Sequence, residues 1–220
     1  MKYKVAQIDQ DPHCEVMRKY EDQLSSDLTW ALIEGSKYFE ERSAAQIALR
    51  RIAERLAQLG IPYAVTGAMA LFRHGYRRFT ESVNILVTRP GLREIHRNLV
   101  GSGYRLDFTG SKALRDTELG VRIEFVLTGD YPGDGKLKPV AFPDPAAVAA
   151  EKDGLQFVKL TTLIELKLAA GMTSSDRLKD LADVQETIKV LQLPPEFAEQ
   201  LSPYVRDKFR ELWVPPENPD

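Results

Sequence analysis

Between Tyr63 and Val87 the chain reads YAVTGAMALFRHGYRRFTESVNILV, and the residue types in that stretch are laid out for handling phosphate. Tyr63 to Thr66 is a short apolar strand. Gly67 then allows a tight turn, Ala68 to His74 can begin a helix, and Gly75 can end it. A second strand follows, Val83 to Val87, entered through Thr80, Glu81 and Ser82 and carrying Asn84. Side chains at i and i+2 of a strand share a face. Ser82 and Asn84 should therefore look the same way, and Glu81 the other way. A helix N-terminus beside them offers unpaired backbone amides to an anion. Arg77 and Arg78, next in line, suit a polyphosphate, a capping role or a carboxylate partner.

Three further stretches carry groups of interest. VRIEFVL, Val121 to Leu127, alternates: Val121, Ile123 and Phe125 on one face, Arg122 and Glu124 on the other. LIELKLAAG holds Lys167 beside an apolar stripe, where a lysine can snorkel. RLKDLADV holds Arg177, Lys179, Asp180 and Asp183, with Lys179 and Asp183 at the i, i+4 spacing of a surface ion pair. Gly133-Asp134-Gly135-Lys136 lacks phosphate-loop spacing and reads as a turn. His74 and His96 are isolated and suit local structural roles, and His13 and Cys14 have no companion at metal-ligand spacing.

On these residues the chain resembles the nucleotidyltransferase fold of the DNA polymerase β type, and more closely the AbiEii/AbiGii toxin-like nucleotidyltransferases. The pattern of that family is Gly-Gly or Gly-Ser after the first strand and Asp-x-Asp on the second. Gly67-Ala68 stands at the first element and Ser82-Val83-Asn84 at the second, so neutral residues replace both aspartates. LIELKLAAG looks like the third motif and RLKDLADV like the fourth. The resemblance runs from about Tyr38 to Trp213. It implies catalytic positions at Ser82, Asn84, Glu124 and Asp180. It implies nucleotide contacts at Gly67, Ala68, Lys167, Arg177 and Lys179. It also implies Mg2+, for which Glu124 is the remaining carboxylate and a weak ligand at best. The expected activity is transfer of a nucleoside monophosphate from a nucleoside triphosphate (NTP) to an RNA, protein or small-molecule acceptor. Loss of the aspartates should weaken or abolish it. The alternative is a catalytically dead nucleotide-binding or partner-binding protein of the same fold. An antitoxin partner is a further implication of the resemblance.

The rest of the chain must position these groups. Its 220 residues are 43% apolar and 28% charged, with a net charge of −2, ordinary for a globular protein and without a broad basic surface. A single cysteine excludes an intramolecular disulfide framework. No stretch approaches the roughly 18 apolar residues of a membrane span, and MKYKVAQIDQD has no apolar signal core, so a cytoplasmic protein is expected. The periodicities predict an α+β fold: a small mixed sheet flanked by helices. The expected division is an N-terminal helical segment over 1–60, a core over 61–160 and a helical annex over 161–220. Ser43 should cap a helix that carries Ile47, Ile52, Leu56 and Leu59 and ends at Gly60. Thr162 and Glu165 form a capping-box pattern, and Gly171 marks an expected helix end. The next helix should turn Leu178, Leu181, Ile188 and Leu191 inward.

Overall fold

The structure, a computed structural model, describes residues 18–213. The expectations for His13 and Cys14 lie outside the described residues. Three helices come first: α1 (Tyr20–Ser26), α2 (Leu28–Phe39) and α3 (Ala44–Gln58). The Ser43 side chain accepts from the amide of Gln46, and Gly60 follows α3 with φ +64°, as the cap pattern requires. The buried stripe of α3 is Ala48, Leu49, Ile52 and Leu56, whereas Ile47 and Leu59 are exposed. Small alanines, not the two outlying large residues, let this helix lie close to the core.

The core is one mixed sheet. Its strands are β1 (Tyr63–Thr66), β2 (Ser82–Val87), β3 (Tyr104–Leu106), β4 (Leu114–Asp116), β5 (Arg122–Leu127), β6 (Ala149–Lys152) and β7 (Leu155–Val158). Their order across the sheet is β3-β4-β5-β2-β1-β7-β6. The central pairs are β1 antiparallel to β2, β2 parallel to β5 and β1 parallel to β7. Strand β6 widens the sheet, pairing with β7 in a hairpin that turns at Asp153 and Gly154, both at positive φ. Nothing in the polar segment AAEK announces β6. Along β2 and β5 the alternation sorts residues by face. Val83, Ile85, Ile123 and Phe125 are buried, while Ser82, Asn84, Arg122, Glu124 and Val126 are partly exposed on the other side.

Helices α4 (Gly67–His74), α5 (Arg89–Leu99) and the single turn α6 (Pro145–Val148) join the strands. His74 Nε2 bonds the carbonyl of Val158 at 2.8 Å; burial lowers its pKa, with that bond opposing. Then come α7 (Leu160–Thr173), α8 (Leu178–Leu191) and α9 (Pro203–Leu212). A second apolar cluster gathers here, with Ile164, Leu168, Val184, Ile188 and Phe209 in it and Phe197 stacked on Phe209 at 5.6 Å.

The sequence expectations for α7 and α8 need correction. Helix α7 starts at Leu160, with Lys159 at the cap and no side-chain capping bond, so Thr162 and Glu165 form no capping box. Glu165 instead accepts from the amide of Ser202. Gly171 does not end the helix. It lies inside α7, where an added Cβ would meet Leu181 Cγ at 2.5 Å, so its missing side chain sets how near α8 can come. Leu178 is exposed, and the inward face of α8 carries Asp180 and Asp183 alongside Val184, Thr187 and Ile188.

Candidate functional site

The register brings the candidate residues into rows. Thr66 pairs with Asn84 and Asn84 with Glu124, while Ser82 pairs with Arg122 in the next row. Directly after Thr66, Gly67 turns the chain into α4 at φ +67°, and a Cβ there would stand 3.2 Å from Asn84 Nδ2. Glycine is required on both counts: the left-handed backbone and the closeness of the β2 side chain. Thr66 makes no side-chain capping bond, and among the described residues no side chain accepts from the first amides of α4. A cleft of about 240 Å³ opens in front of them, lined by Gly67, Ala68, Ser82, Asn84, Glu124, Lys167, Arg177, Lys179 and Asp180, among others. The structure therefore brings these nine sequence-selected residues to one place.

Their charge states of association differ from the sequence reading. Lys167 is buried, not snorkelling, and its Nζ donates to Asp180 Oδ1 and Asp183 Oδ2, each at 2.7 Å. Asp180 also takes Arg177 Nε at 2.6 Å, and Asp183 takes Arg78 Nη2 at 2.9 Å. Asp183 thus faces inward and forms no surface pair with Lys179. Lys179 is exposed at the cleft and makes no ion pair among the described residues. Arg78, which also lines the cleft, pairs with the Asp183 carboxylate, and Arg77 lies over the Phe72 ring at 5.5 Å. On the sheet, Glu124 Oε1 is 3.1 Å from Arg122 Nη1, and Asn84 Nδ2 is 3.4 Å from Ser82 Oγ.

A strand, a glycine turn and a helix N-terminus facing the paired middle strands of a mixed sheet decide the architecture. A mixed sheet flanked by helices in this order is what the motif resemblance implies of a nucleotidyltransferase-like fold. No family model matches the chain, and no curated protein matches it. Solved structures that resemble it include a proposed nucleotidyltransferase from Thermotoga maritima, 20% identical over 61% of this chain and 88% of that one, with TM-score 0.43. Another is ANT(2")-Ia in complex with adenylyl-2"-tobramycin, 11% identical over 76% and 97%, with TM-score 0.49. A third is an antigenic nucleotidyltransferase-like protein from Paracoccidioides brasiliensis, 14% identical over 64% and 74%, with TM-score 0.42. These likenesses are of the fold alone, and no residue role is taken from them.

A nucleotidyltransferase-like fold implies a divalent metal, and the donor set here does not fit one. Magnesium is held by hard, usually anionic oxygens and gives up water reluctantly. Ser82 and Asn84 are neutral, and Glu124 is already paired with Arg122. Among the described residues no group of three His, Cys, Asp or Glu side chains is placed to hold a metal. Glu81, the acid adjacent to Ser82, is exposed and lines a neighbouring polar cavity with Phe79 and Arg122.

Sequence reasoning missed Arg115. It is wholly buried, donating to Glu21 of α1, to Asp107 and to the carbonyl of Gly120. Tyr20 N also donates to that carbonyl. The pair ties α1 to the sheet edge, and Glu21 lines the polar cavity beside the cleft. Burial pushes the Glu21 carboxyl up, but the Arg115 bonds and charge outweigh it and hold it below the usual range. Glu21 lies far from Arg115 in sequence, so nothing local to the strand announces that pair.

Proposed function

We propose that this protein binds a nucleoside triphosphate in the cleft between α4 and α8, and that metal-dependent nucleotidyl transfer there is weak or absent. The observation that carries the reading is the uncapped N-terminus of α4 facing Ser82, Asn84 and Glu124 in one cleft. Helix amides attract phosphate without a metal. Lys179 and the exposed end of Arg177 add cationic donors. Transfer is another matter. The acceptor must attack the α-phosphorus while pyrophosphate leaves, and the developing charge needs a cation at the carboxylate row. With one carboxylate already paired to arginine, that cation has no adequate seat. The acceptor, a toxin-like role and an antitoxin partner rest on the motif resemblance alone.

Calorimetric titration of each NTP, once in magnesium and once in EDTA, tests the reading. The expected result is binding of similar affinity in both buffers and no labelled-nucleotide transfer. Absence of binding in both buffers would remove the nucleotide site. Binding confined to magnesium, with transfer, would show an intact centre.

A further inference from the structure

We infer that the cavity beside the cleft receives the heterocyclic ring of the bound nucleotide. This rests on the nucleotide reading above and adds where the base goes. The cavity measures about 250 Å³ and is continuous with the cleft, sharing Gly67, Asn84, Glu124, Lys167, Arg177 and Asp180 with it. Its remaining walls are of another chemistry: Val126, Tyr131, Phe142, Leu163, Leu166 and Ala170 are prominent among them. The space on the opposite flank is mostly polar: Phe79 is its single apolar wall, among Glu21, Thr80, Glu81, Arg122 and Lys179. Of the two flanks, only the first matches a flat, largely apolar ring. Its volume is a little below the roughly 300 Å³ at which small-molecule pockets begin. That suits one ring system, with the phosphates outside it in the polar cleft.

The walls are built before any ligand arrives. Val126 follows Glu124 by two residues on β5, so the strand turns its apolar side chain to the same face as the acid. Opposite it, the segment 128–145 is held in place by Gly129 N donating to Phe142 O and Phe142 N to Asp130 O. Lys138 Nζ donates to the carbonyl of Pro132 at 2.6 Å and to Thr173 Oγ1 at 3.1 Å, fastening the segment to α7. Gly133 sits so close to α7 that a Cβ would be 2.7 Å from Ala170 O. A long loop without secondary structure, pinned this way, has a rigid wall as its product. Preformed apolar walls with a few polar groups at one end are the usual form of a small-molecule site.

The test compares inorganic tripolyphosphate with the four NTPs by calorimetry in EDTA, for the parent protein, Val126→Trp and Tyr131→Ala. Stacking and burial of a base should make NTPs bind about ten- to a hundredfold tighter than tripolyphosphate. Val126→Trp fills the cavity and should bring that ratio near one; Tyr131→Ala removes a wall and should lower it. Saturation-transfer NMR on the parent, which needs no variant, should place the strongest saturation on the base protons. Equal affinity of tripolyphosphate and NTPs, an unchanged ratio in a folded Val126→Trp, or saturation on the ribose alone would overturn the assignment. If tripolyphosphate and NTPs both fail to bind, the nucleotide reading falls and takes this inference with it. Binding of tripolyphosphate with no gain from the base defeats the ring assignment only.

Discussion

Lys167 is where the residue scale is most instructive. Its ammonium lies between two carboxylates that are 5% and 3% exposed, with Arg177 and Arg78 completing the chain of charges. A buried pair brings little net stability over a well-packed apolar substitute, but removing one partner leaves an uncompensated charge. Lys167→Met should therefore destabilise the protein by about 3–5 kcal/mol, read as a fall in the urea midpoint. Adding Asp180→Asn and Asp183→Asn should not recover that loss, because Arg78 and Arg177 would then lose their carboxylate partners. An unchanged midpoint in Lys167→Met would mean the carboxylates are hydrated. The chemical consequence follows from the same geometry. With Lys167 held by two acids, the proposed phosphate contacts fall to Lys179 and Arg177. Residue types at the site were legible in the sequence, because Gly67, Ser82, Asn84, Glu124 and the 177–180 block all line one cleft. Their partners were not: Asp183 carried the spacing of a surface pair and turned out to be buried.

At the scale of elements, the annex depends on how closely α7 and α8 meet, and Gly171 controls that. An added Cβ would fall 2.5 Å from Leu181 Cγ and 3.2 Å from the carbonyl of Arg177. The Cγ is a branch point near the backbone and cannot swing aside as a chain end does. Gly171→Ala should cost about 1–3 kcal/mol by overpacking, despite alanine's better helix propensity. The parallel change Ala182→Gly, at an exposed position of α8, should cost only about 1 kcal/mol through propensity. Thermal unfolding of the two variants side by side separates the mechanisms, and a Gly171→Ala protein as stable as the parent would show that the helices can part. The strand and helix order from Tyr63 to Leu127 was legible because alternation and glycine turns act locally. The ends of α7 were not. A glycine reads as a stop when only the chain is in view, and as a contact when the neighbouring helix is present. Helix β-partners fail in the same way: β6 has no apolar pattern because it is an edge strand, paired only with β7.

On the proposed reading, the whole molecule sets a phosphate-binding cleft against rows of β2 and β5 in which Ser82 and Asn84 are neutral and Glu124 is the carboxylate. If those rows alone limit the chemistry, changing them should restore the metal site without disturbing the fold. Ser82 and Asn84 face the open cleft and are partly exposed, and Asn84→Asp hardly changes shape. In Ser82→Asp with Asn84→Asp, three carboxylates would lie in adjacent rows of β2 and β5. Without metal they repel one another, and the Arg122 that now pairs with Glu124 offsets one of them. The double variant should melt below the parent in EDTA and regain stability in magnesium, since a cation bound only by the folded state stabilises by mass action. The parent should show no such response. Triphosphate affinity should become magnesium-dependent in the variant, and labelled-nucleotide transfer should appear if the acceptor surface is intact. The melting difference between EDTA and magnesium is the deciding measurement, because it reads the metal site without needing the acceptor. A variant that ignores magnesium would mean that β2 and β5 are set too far apart to share a metal. Strong metal-dependent transfer by the parent would mean that Glu81 or another acid already fills the place of the missing pair.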